Sequence, residues 1–504
     1  MLSRVYSAIL DGLSGNIIEI ETGIMVGLNN FSIIGLTDKA IQESKERINL
    51  ALKSINAKPP LKFNRRIVIN LAPADLKKEG SYLDLGITIS FLIATEQIKN
   101  PDKKILFLGE LGLDGSLKRI RGALPIILSL YNQFEEIYLP EENINEIKFL
   151  ENIDNIYLFK NLKEVINHLE KTKIKERFVA NKFSELYNNR NEHSLESIKI
   201  SEFILRALLI SASGNHNLLL FGPPGTGKTL IAKNLVNLLP DLDYKESLEV
   251  SSIYSAYGYN IDNLIIRPPF RNPHHTASTV AIIGGGHPIR PGEITLSHRG
   301  VLFLDELPEF KRDALESLRE PLDNGEINIT RAKNKIRFPA KFLLVSACNP
   351  CPCGFYSDKL KECHCSITEI KKYQKKISGP ILDRIDMKIN VPRLTSEEIF
   401  NNSELDVKNI INKIKELKER QIKRQNKYNS ELSPKEIKKY CRLTQQAENL
   451  LKNSIDKLYL SARGIHKIIK IAKTIADLDN KDIIDENHIA EAIQYRLTDF
   501  NNND

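Results

Sequence analysis

The chain has 504 residues, room for about two to four domains, and its 41% hydrophobic and 27% charged residues are an ordinary balance for a globular protein. Lys and Arg exceed Asp and Glu by 72 − 64 = 8, which permits contact with nucleic acid without establishing it. No apolar run approaches the ~18–20 residues of a membrane helix, and the N-terminus lacks the apolar core of a signal peptide. We therefore expect a cytoplasmic protein with no membrane partner.

The first part of the chain, residues 1–172, mixes strand-like and helical patterns and is predicted to be an α/β domain. Strand-like alternation is found in Ile17–Glu21, Arg66–Asn70 and Lys104–Leu108, an amphipathic helix is predicted over Gln42–Lys53, and the apolar run Leu85–Ala94 is predicted to lie in the core. Residues 173–197 are charged and rich in Asn, which is typical of a linker, here partly helical.

Residues 198–394 alternate between strand and helix patterns, which predicts a parallel sheet with crossover helices. Residues 395–504 are strongly helical. The predicted helices there are Asn409–Lys427, a helix opened by Ser433-Pro434, Ala462–Leu478 and Asp485–Arg496.

A phosphate-binding loop is predicted in the second domain. The apolar run Asn217–Phe221 leads into a G-x-x-x-x-G-K-[S/T] sequence, and the helical pattern Leu230–Leu239 follows, so the motif has its required strand–loop–helix context. Backbone N–H groups of such a loop surround the phosphates, while Lys228 bridges them and Thr229 offers its hydroxyl to Mg²⁺. The predicted ATP-binding residues are Gly222, Pro223, Pro224, Gly225, Thr226, Gly227, Lys228 and Thr229.

Two further strands end in polar residues suited to hydrolysis. The run Gly300–Leu304 is followed by Asp305, which suits a contact to Mg²⁺, and by Glu306, which suits activation of the attacking water. A strand over Lys341–Ala347 ends near Asn349, which is placed to orient that water. The alternative for the run before Asp305 and Glu306, taken alone, is an ordinary buried strand with an acidic end.

Arg384 follows a turn at Gly379-Pro380 and is a candidate to stabilise charge on the γ-phosphate of a neighbouring subunit. The alternative is a surface arginine or one paired with an aspartate, which is the commoner fate of a lone Arg.

Five of the six cysteines lie between Cys348 and Cys365, which in a chain without an export signal favours a metal over disulfides. Four of them form a C-x-C…C-x-C set that suits tetrahedral, structural Zn²⁺, with Cys348 and His364 as spare ligands. The alternative is a set of free thiols. For His274 and His275 we favour contact with nucleic acid or a structural hydrogen bond over metal binding. The predicted zinc ligands are Cys351, Cys353, Cys363 and Cys365.

These residues together resemble the magnesium-chelatase-like branch of AAA+ ATPases and, over nearly the whole chain, the YifB/ComM family. The most specific stretches are NLAPADL at 70–76, RNPHHTAS at 271–278, NPCPCG at 349–354, LSARG at 460–464, TIADL at 474–478 and QYR at 494–496.

The resemblance implies a fold and an assembly. It implies an N-terminal domain like that of the Lon protease, a central AAA+ core with a parallel sheet, and a C-terminal helical lid, assembled as a homo-hexamer with ATP at each subunit boundary. It assigns Asn349 as the first sensor, Arg384 as the arginine finger and Arg463 as the second sensor. It also implies insertions near Asn260–Ser297 and Glu326–Pro339.

The second insertion is expected to be a hairpin with four cations at alternate positions, which on one strand would share a face. Facing a central channel, that row would hold a DNA backbone; the alternative is a solvated edge strand protected by its charges. The four residues are Arg331, Lys333, Lys335 and Arg337.

The resemblance implies an ATP- and Mg²⁺-dependent DNA-remodelling motor, similar to ComM-like helicases that migrate branched DNA during transformation. The alternatives are a chelatase-like ATPase chaperone that drives metal insertion or remodels a protein, and a binding scaffold with little turnover. Protease activity is not expected, because Ser81 lies one place off the nucleophile position and Arg121–Pro125 lacks the partner lysine. Where relatives carry Gly-Gln beside the adenine, this chain has Ile200-Ser201.

Overall fold

The structure is a computed structural model. It describes residues 2–36, 38–78, 80–188, 201–286, 289–331, 334–356, 358, 360–393, 406–458 and 460–496. Ile200 and Lys333, which carried predictions above, lie outside these residues. Within this part of the chain no helix has the length and apolar character needed to cross a membrane.

The N-terminal region is built on a seven-stranded mixed sheet. The strands of this sheet are β1 (Leu2–Asp11), β2 (Ser14–Val26), β3 (Asn30–Ile34), β4 (Arg65–Ala72), β5 (Ile105–Phe107), β8 (Glu136–Pro140) and β9 (Ile156–Phe159), and β6 (Glu110–Leu111) and β7 (Leu117–Lys118) form a separate short hairpin. The order in the sheet is β3-β4-β2-β1-β5-β8-β9, with β2 antiparallel to both β1 and β4. The helices are α1 (Lys39–Ser54), α2 (Asp84–Ala94), α3 (Ala123–Leu130), α4 (Ile144–Ile147) and α5 (Leu162–Leu169).

The helix patterns predicted in this region are confirmed. Helix α1 contains the predicted amphipathic stretch and begins earlier, because Asp38 caps it by accepting a hydrogen bond from the Ile41 N–H. Helix α2 is the predicted core element, and all its residues are buried. An apolar helix is stable there because it packs on the inner face of β1 and β2.

The central region is a five-stranded parallel sheet with helices on its faces. Its strands and hairpins are β10 (Leu218–Phe221), β11 (Phe270–Arg271), β12 (Gly284–Gly285), β13 (Arg290–Pro291), β14 (Val301–Leu304), β15 (Glu326–Arg331), β16 (Asn334–Pro339), β17 (Leu343–Cys348) and β18 (Met387–Asn390). The sheet order is β11-β14-β17-β10-β18, while β12–β13 and β15–β16 are separate hairpins. The first predicted insertion therefore includes β11, a strand of the core sheet.

The helices of this region begin before the sheet. They are α6 (Glu185–Asn188), α7 (Glu202–Gly214), α8 (Lys228–Leu238), α9 (Tyr244–Tyr257), α10 (Thr279–Ile283), α11 (Glu293–Leu296), α12 (Arg312–Glu316), α13 (Arg319–Asn324), α14 (Ile367–Gln374) and α15 (Gly379–Leu382).

The C-terminal region is helical, as predicted. Ser433 and Glu436 form a capping box with Pro434 in the first turn, which explains why a helix begins there. The helices are α16 (Val407–Gln425), α17 (Pro434–Tyr440), α18 (Gln445–Leu458), α19 (Ala462–Leu478) and α20 (Glu486–Gln494). The predicted fold class, α/β with a central parallel sheet and a helical C-terminal region, is confirmed.

The N-terminal and central regions share an apolar interior. Ile261 and Leu264, which follow α9, are buried in one cluster with residues of β5, β8 and α3, and Phe183 from the predicted linker joins them. At the border the Arg119 guanidinium pairs with Glu146, whose other oxygen accepts from Ser255 Oγ at 2.6 Å. The two regions are therefore packed as one body rather than tethered.

Candidate active site

Three neighbouring parallel strands, β14, β17 and β10, end at the same edge of the central sheet. Asp305 and Glu306 follow β14, Asn349 follows β17, and the phosphate loop follows β10. Because carboxyl ends of parallel strands meet at one edge, the residues predicted from separate motifs come together there.

The phosphate loop leaves an open concave surface. Gly225 and Gly227 have φ values of 79° and 81°, and a Cβ added to either would meet nothing within 4 Å. Gly222 is constrained differently, since a Cβ there would lie 2.3 Å from the carbonyl oxygen of Val391. Helix α8 begins at Lys228, so its N-terminal amides face the concave surface and suit a bound phosphate.

Lys228 is buried at the base of this loop. Its Nζ donates to the carbonyl oxygens of Gly222 at 2.9 Å and Pro223 at 2.8 Å, and to Asn349 Oδ1 at 3.3 Å. Burial lowers the pKa of Lys228 from its ordinary value, because these neutral partners replace water incompletely. An anionic phosphate beside Nζ would favour the charged form and supply the missing counter-charge.

The residues suited to Mg²⁺ are in contact. Thr229 Oγ1 donates to Asp305 Oδ2 at 2.8 Å, so one hydroxyl and one carboxylate, both hard oxygen ligands, lie beside the open loop. The Asp305 carboxylate also accepts from the Glu306 N–H at 2.9 Å, which fixes its orientation. The donor set therefore fits Mg²⁺ together with a nucleotide phosphate.

Glu306 has an uncommon backbone conformation and a partner that the sequence did not reveal. Its φ is 52°, in the left-handed region that non-glycine residues rarely adopt. Its Oε2 lies 3.1 Å from His275 Nδ1, and 59% of its side chain remains exposed. For His275 the sequence left contact with nucleic acid and a structural hydrogen bond open; the structure places its ring beside Glu306, and contact with nucleic acid stays a prediction.

Arg384 and Arg463 lie together in a different place. Both line a cleft of about 810 Å³ between the central and C-terminal regions, and none of the phosphate-loop residues lines it among those described. Arg384 Nε donates to Asp323 Oδ1 at 2.9 Å, and its Nη1 donates to the Pro380 carbonyl oxygen at 2.8 Å. Within one chain, Arg384 thus has the aspartate partner that the sequence left open as an alternative.

The four predicted zinc ligands form one cluster. Their sulfur atoms all lie within 4.8 Å of one another, and the Sγ distances from Cys351 to Cys353 and Cys363 are 3.4 and 3.7 Å. Four sulfurs at ~2.3 Å from a tetrahedral Zn²⁺ would be about 3.8 Å apart, so the set fits this ion. Cys348 lies outside the cluster, and burial raises the pKa of its thiol to about 12, which disfavours the thiolate needed for metal binding.

The predicted hairpin exists, but positions 331, 335 and 337 of the predicted row do not share one face. Thr330 pairs with Lys335 and Asn328 with Arg337, so Lys335 and Arg337 belong to one face, which is opposite to that of Ile329 and Ile336. Position 331 pairs with Asn334 and is out of phase with 335 and 337. Positions 331, 335 and 337 therefore do not form the predicted single row, because 331 belongs to β15 while 335 and 337 belong to the antiparallel strand β16, and alternation continues only along one strand.

Three family models of a magnesium chelatase subunit match the chain. Magnesium chelatase, subunit ChlI, matches residues 194–399; Subunit ChlI of Mg-chelatase matches residues 20–143; and Magnesium chelatase, subunit ChlI C-terminal, matches residues 405–496. The matched segments include the phosphate loop, the acidic strand end and the cysteine cluster.

Full-length relatives extend this similarity. Competence protein ComM of Haemophilus influenzae is 39% identical over 503 residues, covering 98% of this chain and 97% of that protein. The uncharacterized protein YifB of Escherichia coli K12 is 37% identical over 505 residues, covering 99% and 97%. The magnesium-chelatase 38 kDa subunit of Rhodobacter capsulatus is 28% identical over 162 residues, covering 29% of this chain and 46% of the subunit. The chain belongs to the YifB/ComM family of magnesium-chelatase-like AAA+ ATPases.

Proposed function

We propose that the protein is a cytoplasmic, ring-forming ATPase that couples ATP hydrolysis to the remodelling of single-stranded or branched DNA, as a branch-migrating helicase. The observation that supports hydrolysis best is the convergence of Lys228, Thr229, Asp305, Glu306 and Asn349 at one sheet edge. Similarity to a competence protein over the full chain supports DNA as the substrate.

Each residue has a separate task in the hydrolysis. The amides of the phosphate loop and Lys228 bind and orient the phosphates. Thr229 and Asp305 hold Mg²⁺, which when bound neutralises charge on the phosphate oxygens. Glu306 accepts a proton from the attacking water, and Asn349, already beside Lys228, orients that water.

Arg384 and Arg463 act on ATP bound to a neighbouring subunit. Their shared cleft contains cations without a phosphate-binding loop, so it is incomplete within one chain. A neighbour that presents its nucleotide edge to this cleft would supply the γ-phosphate, for which Arg384 exchanges its contact with Asp323. A closed ring gives every subunit both halves of a site, and we propose a hexamer.

The hairpin is the proposed DNA contact, through Lys335 and Arg337 on its outer face. The test is ATP hydrolysis by the full-length protein with and without single-stranded and forked DNA, across a salt series. We expect stimulation that weakens as salt rises, because phosphate contacts release counterions. The slope of the logarithm of DNA affinity against the logarithm of salt concentration should become less steep by about two in the double variant Lys335→Ala with Arg337→Ala. The exposed pair Lys53→Ala with Lys62→Ala, which removes equal charge from the N-terminal region, should not change it.

A structural Zn²⁺ in the four-cysteine cluster is a second proposal. The cluster follows Asn349 directly, and a Cβ added to Gly354 would lie 2.8 Å from Pro224 Cδ, so the cysteine loop packs on the phosphate loop. We expect one zinc per chain by elemental analysis, lost in Cys353→Ser with Cys363→Ser and retained in Cys441→Ser, whose thiol lies elsewhere. Metal-free protein with unchanged stability would contradict the proposal.

The alternative is a chelatase-like chaperone that drives metal insertion or remodels a protein partner. Matches to three models of a magnesium chelatase subunit favour it. ATP hydrolysis that DNA does not change at any salt concentration would support this alternative, and the hairpin would then be a solvated edge protected by charge.

A further inference from the structure

The loop that carries Arg384 is bound to the helix that carries Arg463. Asp386 follows Arg384 by two residues, and its Oδ1 lies 2.9 Å from Lys467 Nζ. Lys467 Nζ also donates to the carbonyl oxygen of Ile385 at 3.1 Å. Lys467 follows Arg463 by four residues in α19, so both side chains lie on one face of that helix, about one turn apart. One lysine therefore joins the two elements that supply the arginines of the shared cleft.

The contact between Asp386 and Lys467 is a mostly buried ion pair. Only 14% of the Lys467 side chain and 12% of the Asp386 side chain are exposed. Burial opposes ionisation of the carboxylate, but Lys467 and His216 hold the pKa of Asp386 below its ordinary value, so the carboxylate is charged. The cost of desolvating both groups offsets much of their attraction, so the pair contributes little net stability compared with an apolar contact of the same size. What distinguishes the pair is the geometry that it fixes.

The other oxygen of Asp386 anchors the arginine loop to the central sheet. Asn217, which precedes β10, donates from its backbone N–H to Asp386 Oδ2 at 2.9 Å. Its side-chain Nδ2 donates to the Arg384 carbonyl oxygen at 3.0 Å. Asp386 thus binds the sheet with one oxygen and α19 with the other, so that the loop of Arg384 and the helix of Arg463 keep a fixed separation.

This separation matters for the proposed hydrolysis. Charge that develops in a transition state is stabilised best by groups that are already oriented toward it. A displacement of about 1 Å can lower a rate by about 100-fold, even when it arises away from the reacting atoms. If the Lys467 contact were broken, α19 could shift against the arginine loop, and the two guanidinium groups would no longer converge on one phosphate.

We propose that Asp386 and Lys467 are positioning residues that align Arg384 with Arg463, so that both arginines act on one γ-phosphate of the neighbouring subunit. The proposal rests on the proposed action of these arginines across a subunit boundary. Neither Asp386 nor Lys467 needs to contact the nucleotide, since both act through the arginines.

The first test compares kcat, KM and nucleotide binding in full-length wild type, Lys467→Met, Asp386→Asn and Lys467→Arg. Methionine keeps an unbranched side chain without the charge, asparagine keeps an oxygen that can accept from Asn217, and arginine keeps the charge. We expect kcat to fall about 30-fold in the methionine and asparagine variants, with KM and binding unchanged, and we expect arginine to restore most of the rate. Lys481→Met breaks a lysine–aspartate pair that does not line the cleft, and it should resemble wild type.

Mixed rings separate alignment from a general loss of structure. Two variants would be co-expressed, and rings that contain both would be purified through two affinity tags. Lys467→Met with Glu306→Gln should recover activity, because the first supplies an intact phosphate-loop site and the second supplies an aligned pair of arginines. Lys467→Met with Arg384→Ala should not recover, because both defects lie in the same half of the site.

Normal kcat in both Lys467→Met and Asp386→Asn would overturn the proposal. Loss of nucleotide binding in step with kcat would also overturn it, and so would failure of Lys467→Met to recover with Glu306→Gln where Arg384→Ala does recover. If Arg384→Ala keeps normal turnover, the proposed role of that arginine fails and the alignment proposal fails with it, an outcome that the turnover of Arg384→Ala identifies by itself. If Arg384→Ala does not recover in mixed rings, action across a boundary fails, while kcat, binding and the Lys467→Arg rescue still decide the role of the ion pair.

Discussion

The phosphate-loop site and the Arg384–Arg463 cleft both contain cationic side chains suited to phosphate, but only the first contains the other groups that a nucleotide site needs. In the first, Lys228 lies beside Asn349, and Thr229 lies beside Asp305, so cation, metal ligands and open loop are assembled within one chain. In the second, two arginines share a cleft with no phosphate loop, and Arg384 is occupied by Asp323. One chain therefore contains a complete set of residues for binding the nucleotide but only half of each proposed catalytic site.

The largest effect should come from the complete site. Glu306→Gln should lower ATP turnover by about 10,000-fold while ATP still binds, because it removes the proton acceptor and keeps the shape. Lys228→Ala should abolish both turnover and binding. Turnover and fluorescent-nucleotide binding would be measured side by side, with Lys233→Ala, an exposed lysine of the same helix, as the control. Normal turnover in both variants would remove the basis of the comparison.

The next effect concerns the incomplete site. Arg384→Ala should lower turnover by about 1000-fold and leave nucleotide binding largely intact, since the arginine stabilises charge only during hydrolysis. Mixing it with Glu306→Gln protein should restore part of the activity, because the Glu306→Gln subunit supplies Arg384 to its neighbour's intact site. Mixed rings without any recovery, under conditions where wild-type subunits exchange, would mean that the arginine does not act across a boundary. Arg319→Ala is the matched exposed-arginine control.

The smallest expected effect concerns the contact between Asp323 and Arg384 in the incomplete site. Asp323→Ala should free Arg384 for the neighbouring nucleotide and raise kcat about twofold with KM unchanged, because the Asp323 side chain is 52% exposed and such pairs are weak. Steady-state kinetics would measure it, with Asp313→Ala as the control on an adjacent helix. A loss of kcat comparable to that of Arg384→Ala would show instead that Asp323 orients the arginine for catalysis.

Residues in contiguous motifs were the ones that could be predicted from the sequence. The phosphate loop and the Asp305-Glu306 pair are each defined by a few adjacent residues after an apolar strand, and parallel-sheet geometry brings them together. His275 was not recognised as a partner of Glu306, because that contact depends on which strands are neighbours. The signal was present in a polar loop after a strand of the same sheet, but β11 is so short that the pattern of alternation did not reveal it.

The face of the hairpin could not be read from alternation alone. Positions 331 and 335 are four residues apart, yet they belong to antiparallel strands whose register puts them on opposite faces. Only the pairing register decides which side chains lie together, and register depends on the turn and on the apolar residues Ile329 and Ile336 packing inward.

The shared interior of the N-terminal and central regions determines how the polypeptide can be cut. A fragment starting at Ser201 would lose the partners of Ile261 and Leu264 and expose both to water, at about 1.5–3 kcal/mol for each large side chain. It would also leave Ser255 without its Glu146 partner. An isolated ATPase fragment should therefore aggregate on expression. If a fragment is cut at the boundaries of the family matches alone, its lack of activity would reflect insolubility and not the loss of a functional residue.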